Sequence, residues 1–545
     1  MTRLRKYLCL GIATLALSTA SSTLAQEMTT VDAPAGSLQG VEVDGIPTFK
    51  GIPYALPPVG GRRWQPPLPV PHWTGQRDAR AFGPACIQPD AKAVSVYTED
   101  PMPQSEDCLS LNVWAPHHAQ KAPVLFWIHG GALVNGSSRE SMYDGATLAK
   151  RGVIVVSINY RLGVLGWMAH PELSAESPDH ISGNYGLMDQ IAALHWVRDN
   201  ITAFGGDPAN VTIAGESAGA LSVLYLLESP AAHGLFAKAV SESGYMISMP
   251  ELKRAAFGAP SGEAAGQMLG MALQAPDLAS LRGMDAKTLT NAAARMFAPW
   301  GLVDGKLLPQ QMTTAFDKGE IAHVPLLAGF NQGEIRTLRA LAPKPPTTAA
   351  EYEAGIRARY GDLSDAFLKL YPATNYAESI LATTRDGLYG WTAERAARLN
   401  TAHGLSVYLY LFDHGYPAAD SAGLHAFHAS EIPFVFGTAT MTPPHWPQIP
   451  ATFEQHALSA AMTEYWASFA RDGVPHAAGA PAWPAYGTAR NFMHFAQSPQ
   501  PETALMPGMF ELNEAAQCRK AAAKTGWNWN VGLSSPKLAP NAVCP

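Results

Sequence analysis

Short, continuous apolar runs recur through the middle of the chain, separated by stretches with helical spacing. Pro123-Val124-Leu125-Phe126-Trp127-Ile128 and Gly152-Val153-Ile154-Val155-Val156-Ser157-Ile158-Asn159-Tyr160 read as strands buried on both faces. Glu106 to Trp114 alternates apolar and polar residues, which predicts another strand. Residues 186–203 place Leu187, Ile191, Leu194, Trp196 and Val197 at the spacing of an amphipathic helix. Residues 237–244, 324–330 and 406–412 return to the strand pattern, and 250–400 is mostly helical. Strands alternating with helices predict an α/β fold around a mostly parallel central sheet. Residues 27–80 predict short strands and a hairpin, then a proline-rich surface loop through Pro53, Pro57 and Pro58. With no repeat and no low-complexity linker, the chain reads as one large domain over 26–511. A tail, 512–545, reads as an appendage closed by its own disulfide.

One stretch interrupts this rhythm with chemistry. Val211-Thr212-Ile213 leads into Gly215-Glu216-Ser217-Ala218-Gly219, and Ala220, Leu221, Val223 and Leu224 follow. Strand, sharp turn and helix in that order is the setting of a nucleophile elbow. The glycines flank the serine because so tight a turn leaves no room for a β-carbon. A serine hydroxyl needs a base, a group that orients the base, and donors for the oxyanion. His129-Gly130-Gly131-Ala132, directly after the apolar run at 123–128, has the form of a donor loop.

Charge and cysteines narrow the setting. A net charge of −7, with no basic run beyond the N-terminus, excludes a nucleic-acid binder. Residues 1–25 read as a cleaved secretory signal peptide. Arg3, Arg5 and Lys6 precede an apolar Leu8–Leu17, with Thr23-Leu24-Ala25 at the cleavage end. The apolar run is short for a membrane span, so the expected destination is the periplasm or the medium. Cys86, Cys108, Cys518 and Cys544 then remain, an even count that fits two disulfides in an oxidising compartment. Four cysteines allow three pairings, of which proximity favours Cys86–Cys108 and Cys518–Cys544. No cysteine and histidine grouping has zinc-site spacing, and no metal or cofactor is expected.

The chain resembles the type B carboxylesterases, a family of α/β-hydrolase fold that includes bacterial para-nitrobenzyl esterases and is related to cholinesterases. The resemblance runs from about Val31 to Phe495. Its most specific pieces are Phe204-Gly205-Gly206-Asp207-Pro208 through Gly219, Glu106-Asp107-Cys108-Leu109 through Val113, and Gly51-Ile52-Pro53-Tyr54-Ala55. It implies Ser217 as nucleophile and Glu334, in Gly329-Phe330-Asn331-Gln332-Gly333-Glu334-Ile335, as the acid. Ile335 stands where the family has glycine, which questions the local turn. The base is implied to be His428, three residues before Glu431-Ile432-Pro433, in preference to the nearby His425. The implied oxyanion donors are the N–H groups of Gly131, Ala132 and Ala218, with His129 supporting their loop. Leu133 replaces a common aromatic residue and is expected to widen the acyl pocket. Glu216 and Ser243 match positions beside the triad. Cys86 and Cys108 match a family disulfide that closes a loop near the active-site mouth.

The expected activity is hydrolysis of a small-molecule carboxylic ester through an acyl-enzyme. Within the fold the rivals are a lipase and a specialised esterase. A cholinesterase-like binding protein is the reading outside catalysis, and an intact triad argues against it. Fold and triad leave the substrate and the oligomeric state open.

Overall fold

A computed structural model describes residues 27–540. The expected signal peptide and Cys544 lie outside them. The apolar runs become strands buried along their whole length: Ala122–Ile128, Ile154–Ile158, Lys238–Glu242, Leu326–Asn331 and Val407–Phe412. With Gly206–Glu216 and Asn491–Phe495 they form the parallel centre of a 13-stranded sheet among the described residues. Antiparallel strands extend both edges. Ser110–Trp114 and the N-terminal strands Ile46–Pro53, Gly36–Val43 and Glu27–Ala33 lie at one edge, and Pro499–Thr503 at the other.

The reason for continuous apolarity is that each strand serves two cores. Side chains alternate faces along a strand. Val124, Phe126 and Ile128 join one cluster with Leu187, Leu194 and Leu221. Leu125 and Trp127 join a second with Tyr465, Trp466 and Phe469. The same division separates Val407, Leu409 and Leu411 from Tyr408, Tyr410 and Phe412. Helices Tyr185–Asn200 and Ala218–Glu228 supply the first layer, and Phe453–Asp472 the second. Each large side chain fully buried here contributes about 1.5–3 kcal/mol.

The helix predicted over 186–203 is Tyr185–Asn200 followed by a 3₁₀ turn, Ile201–Phe204. It stops on Gly205, whose φ is 83° and whose absent β-carbon would meet the Ala119 carbonyl oxygen at 2.2 Å. The proline-rich loop is pinned rather than superficial. The Tyr54 hydroxyl donates to the Asn159 carbonyl (2.7 Å), and the Trp64 indole N–H to that of Val164 (2.9 Å).

The tail departs from the expected appendage. Helix Met509–Ala522 runs through the expected boundary at 511, and Leu512, Ala516, Trp527, Val531 and Leu538 enter the first core. Trp527 packs on Trp391 with ring centroids 5.2 Å apart. Apolar spacing was too sparse after residue 522 to reveal this. Cys86 and Cys108 are bonded, and Cys518 is also disulfide-bonded.

Candidate active site

The strand order creates the site. Ala122–Ile128 lies between Ile154–Ile158, which follows it in sequence, and Gly206–Glu216, which comes later. The chain therefore reverses its direction of progress across the sheet at Ala122–Ile128, and such switch points open a crevice at the carboxyl ends of the strands. Ile128 is paired with Gly215, so the loop His129-Gly130-Gly131-Ala132 and the turn at Ser217 leave the sheet side by side.

Ser217 sits at φ 56° and ψ −119°, between the strand ending at Glu216 and the helix beginning at Ala218. That conformation costs on the order of 1–3 kcal/mol for a residue other than glycine. Its surroundings hold it there. The Ser217 N–H donates to the Glu242 carbonyl (2.9 Å), and the Ser217 carbonyl accepts from the Leu221 N–H (2.9 Å). A β-carbon on Gly219 would lie 2.0 Å from the Ile128 carbonyl oxygen, and one on Gly215 2.6 Å from the Gly219 carbonyl carbon. Both glycines are thus required by close backbone approach.

Glu334 opens a short 3₁₀ turn after strand Leu326–Asn331 and is fully buried. Its Oε1 accepts from the Ser243 hydroxyl (2.6 Å) and the Asn331 N–H (2.8 Å). Its Oε2 is hydrogen-bonded to His428 Nδ1. Ile335 has no positive φ and is 1% exposed, so this turn needs no glycine. His428 follows strand Val407–Phe412. Asn331 Nδ2 donates to the Phe427 carbonyl (2.9 Å), and the Tyr97 hydroxyl donates to that of His428 (2.8 Å). His425 is exposed and paired with Asp420 (2.6 Å).

The other face of the imidazole differs from expectation. His428 Nε2 lies 3.1 Å from Glu216 Oε1, and Ser217 Oγ makes no hydrogen bond among the described residues. Free active sites often hold such bonds loosely until substrate tightens them. Burial, then the nearby Glu334, Glu242 and Glu140, push the Glu216 carboxyl well above the usual range. Burial raises Glu242 to about 8, and burial followed by the other glutamates raises Glu431 well above normal. These acids are therefore held toward their neutral forms behind the elbow.

The donor loop is shaped by left-handed backbone: Gly131 at φ 100°, Ala132 at 56° and Leu133 at 59°. The Gly131 carbonyl turns away to accept from the Val134 and Asn135 N–H groups (2.9 and 3.0 Å). The N–H groups of Gly131 and Ala132 have no acceptor among the described residues, and Ala218, as the first residue of its helix, has no intrahelical partner for its own. A β-carbon on Gly130 would lie 3.3 Å from Ser217 Cβ, so the loop abuts the serine. His129 stacks on Tyr160 (4.6 Å), and burial lowers its pKa to about 4, which keeps it neutral. Leu133 is fully buried in the first core. Tyr97 and Asn331 were not singled out from sequence as site residues. Tyr97 lies in an irregular loop without periodic signal, and Asn331 showed only as a motif letter. Among the described residues no group of three or more His, Cys, Asp or Glu is arranged to hold a metal ion.

The carboxylesterase family matches residues 27–512. The chain is 37% identical over 478 residues to the fumonisin B1 esterase of Sphingopyxis macrogoltabida, covering 84% of this chain and 85% of that protein. It is 38% identical over 467 residues to the para-nitrobenzyl esterase of Bacillus subtilis (strain 168), covering 83% and 91%. A solved PNB esterase superposes with a TM-score of 0.75 at 32% identity, over 90% of this chain and 99% of that one. A Geobacillus stearothermophilus carboxylesterase gives 0.73 at 32% identity, over 89% and 99%. The chain therefore belongs to the carboxylesterase family, the serine carboxylic ester hydrolases of α/β-hydrolase fold.

Proposed function

We propose that this chain hydrolyses carboxylic esters in two acyl-transfer steps on Ser217. His428 Nε2 takes the hydroxyl proton as Ser217 Oγ attacks the ester carbonyl carbon. The carbonyl electrons move to oxygen, where the N–H groups of Gly131, Ala132 and Ala218 receive them. Collapse of the tetrahedral species expels the alcohol, which leaves with the proton from His428. Water, deprotonated by the same nitrogen, then attacks the acyl-enzyme and releases the carboxylic acid. Glu334 keeps the proton of the resting imidazole on Nδ1 and stabilises the cation. Each oxyanion donor is worth about 10²–10³ in turnover.

The observation that carries this reading is Glu334. Two fixed donors hold one carboxylate oxygen, so the other is presented to His428 Nδ1. The 1–25 pattern, with the Cys86–Cys108 disulfide, supports export before action on a small-molecule ester. The test is Ser217→Ala, assayed on a chain-length series of nitrophenyl esters with circular dichroism as the folding control. Turnover is expected to vanish in a folded protein. Near-wild-type turnover in that variant would overturn the assignment.

A further inference from the structure

A cavity of about 280 Å³ borders the loop that carries Glu334, and neither Ser217 nor His428 lines it. Gln332, Gly333, Ile335 and Arg336 form one part of its wall, and residues between 370 and 385 form the rest. Its size is at the low end for a small-molecule site. Arg336 and Arg385 both line it, and each guanidinium is only partly satisfied.

The Arg385 side chain is 9% exposed. Its Nε donates to Asp386 Oδ1 (2.6 Å), and its Nη1 to the carbonyl and side-chain oxygens of Gln332 (3.0 and 2.8 Å). Its Nη2 has only the Met506 thioether, at 3.5 Å. Arg336 Nη2 makes a short bond to Glu378 (2.6 Å), whereas its Nη1 has two long contacts, 3.4 Å to Glu378 and 3.3 Å to the Gly423 carbonyl. A thioether is a weak acceptor. A guanidinium arm without a good acceptor is matched by a carboxylate oxygen. Ile335, Leu370, Leu381 and Ala382 supply apolar wall beside these donors. Glu378 and Asp386 already balance the two arginine charges. A multiply charged anion therefore gains little, and a single carboxylate on a short aliphatic chain fits the wall.

We propose that this cavity is a regulatory site for a short-chain monocarboxylate, the chemical class that ester hydrolysis releases. The source of that ligand rests on the function proposed above; the site itself does not. Arg385 grips Gln332, which lies two residues before Glu334. A carboxylate that draws Arg385 Nη2 toward the cavity turns the guanidinium, pulls Nη1 away from Gln332 and so tilts Glu334 beneath His428. Bound carboxylate thus lowers kcat and leaves KM in place.

Butyrate is the probe. Calorimetric titration into the full-length Ser217→Ala protein reads binding without turnover, with butylamine as the control that should not bind. Arg336→Gln and the cavity-filling Ala382→Trp are each expected to weaken butyrate at least tenfold. With wild-type protein hydrolysing a nitrophenyl ester, butyrate should reduce kcat at constant KM, and Arg336→Gln should relieve that reduction. Circular dichroism checks each variant, and if Ala382→Trp fails to fold, Arg336→Gln decides. Unaltered butyrate affinity in the folded variants, or inhibition that only raises KM, overturns the proposal. Absence of ester hydrolysis by wild-type protein would instead sink the esterase reading, while the titration would still report on the cavity.

Discussion

Exchanging Glu334 for Gln replaces one carboxylate oxygen with an NH₂ group, and the surroundings decide which one. The Asn331 N–H at 2.8 Å from Oε1 belongs to the backbone and cannot turn away, and the Ser243 hydroxyl at 2.6 Å also donates there. Placing the new NH₂ at that position sets donor against donor in a fully buried site, a cost of about 1–3 kcal/mol. The amide oxygen therefore keeps the Oε1 position, and the NH₂ faces His428 Nδ1. An N–H donor there forces Nδ1 to become the acceptor, which moves the ring proton to Nε2. A protonated Nε2 cannot accept the serine proton. The same tautomer inversion in a serine-protease triad lowers kcat about 10⁴-fold, roughly 5 kcal/mol at 1.36 kcal/mol per decade. The assay is steady-state hydrolysis of nitrophenyl butyrate near neutral pH, with circular dichroism and thermal unfolding as controls. Expected is a folded protein with kcat down by about 10⁴ and a far smaller change in KM. A kcat within tenfold of wild type would refute the orienting role of Glu334.

Two further predictions test the scaffold. Gly219→Ala puts a β-carbon 2.0 Å from the Ile128 carbonyl oxygen, a backbone atom held in the sheet. The cost should reach or exceed the usual overpacking range of about 1–3 kcal/mol, read as a lower urea midpoint and weaker activity; an unchanged midpoint would contradict the close approach of strand and helix. Burial pushes the Glu228 carboxyl up from its ordinary 4.5 to about 8. The folded state therefore binds this proton more tightly, so the contribution is complete below about pH 4.5 and is lost as pH rises through 8. Glu228→Gln should unfold at nearly the wild-type urea midpoint at pH 5 and gain on wild type steadily to pH 8. Parallel profiles across that range would mean that Glu228 is ionised in the folded protein.

Local pattern sufficed for much of this molecule. The run Pro123 to Ile128 announced a doubly buried strand because every second residue must enter one of two apolar clusters. The glycines around Ser217 were legible because a tight turn demands that residue type, whereas Glu334 and His428 were located by the family resemblance. Ile335 was over-read: the acid's turn is 3₁₀ with ordinary φ, so a family glycine is dispensable there.

Three things required the tertiary structure. The tail beyond residue 511 joins the body because Trp527 and Val531 fill space left by distant segments, a complementarity no local window contains. The neutral tendency of Glu216, Glu242 and Glu431 arises from burial, reinforced at Glu216 and Glu431 by repulsion from glutamates far apart in sequence. The preference for His428 over His425 was inferred from motif spacing alone. The contact between Glu334 and His428 exists only with the strands Leu326–Asn331 and Val407–Phe412 paired, because their loops then reach the same end of the sheet. Residue types and short periodicities are encoded along the chain. Distances, burial and the fields they create exist only after the strands have been put in order.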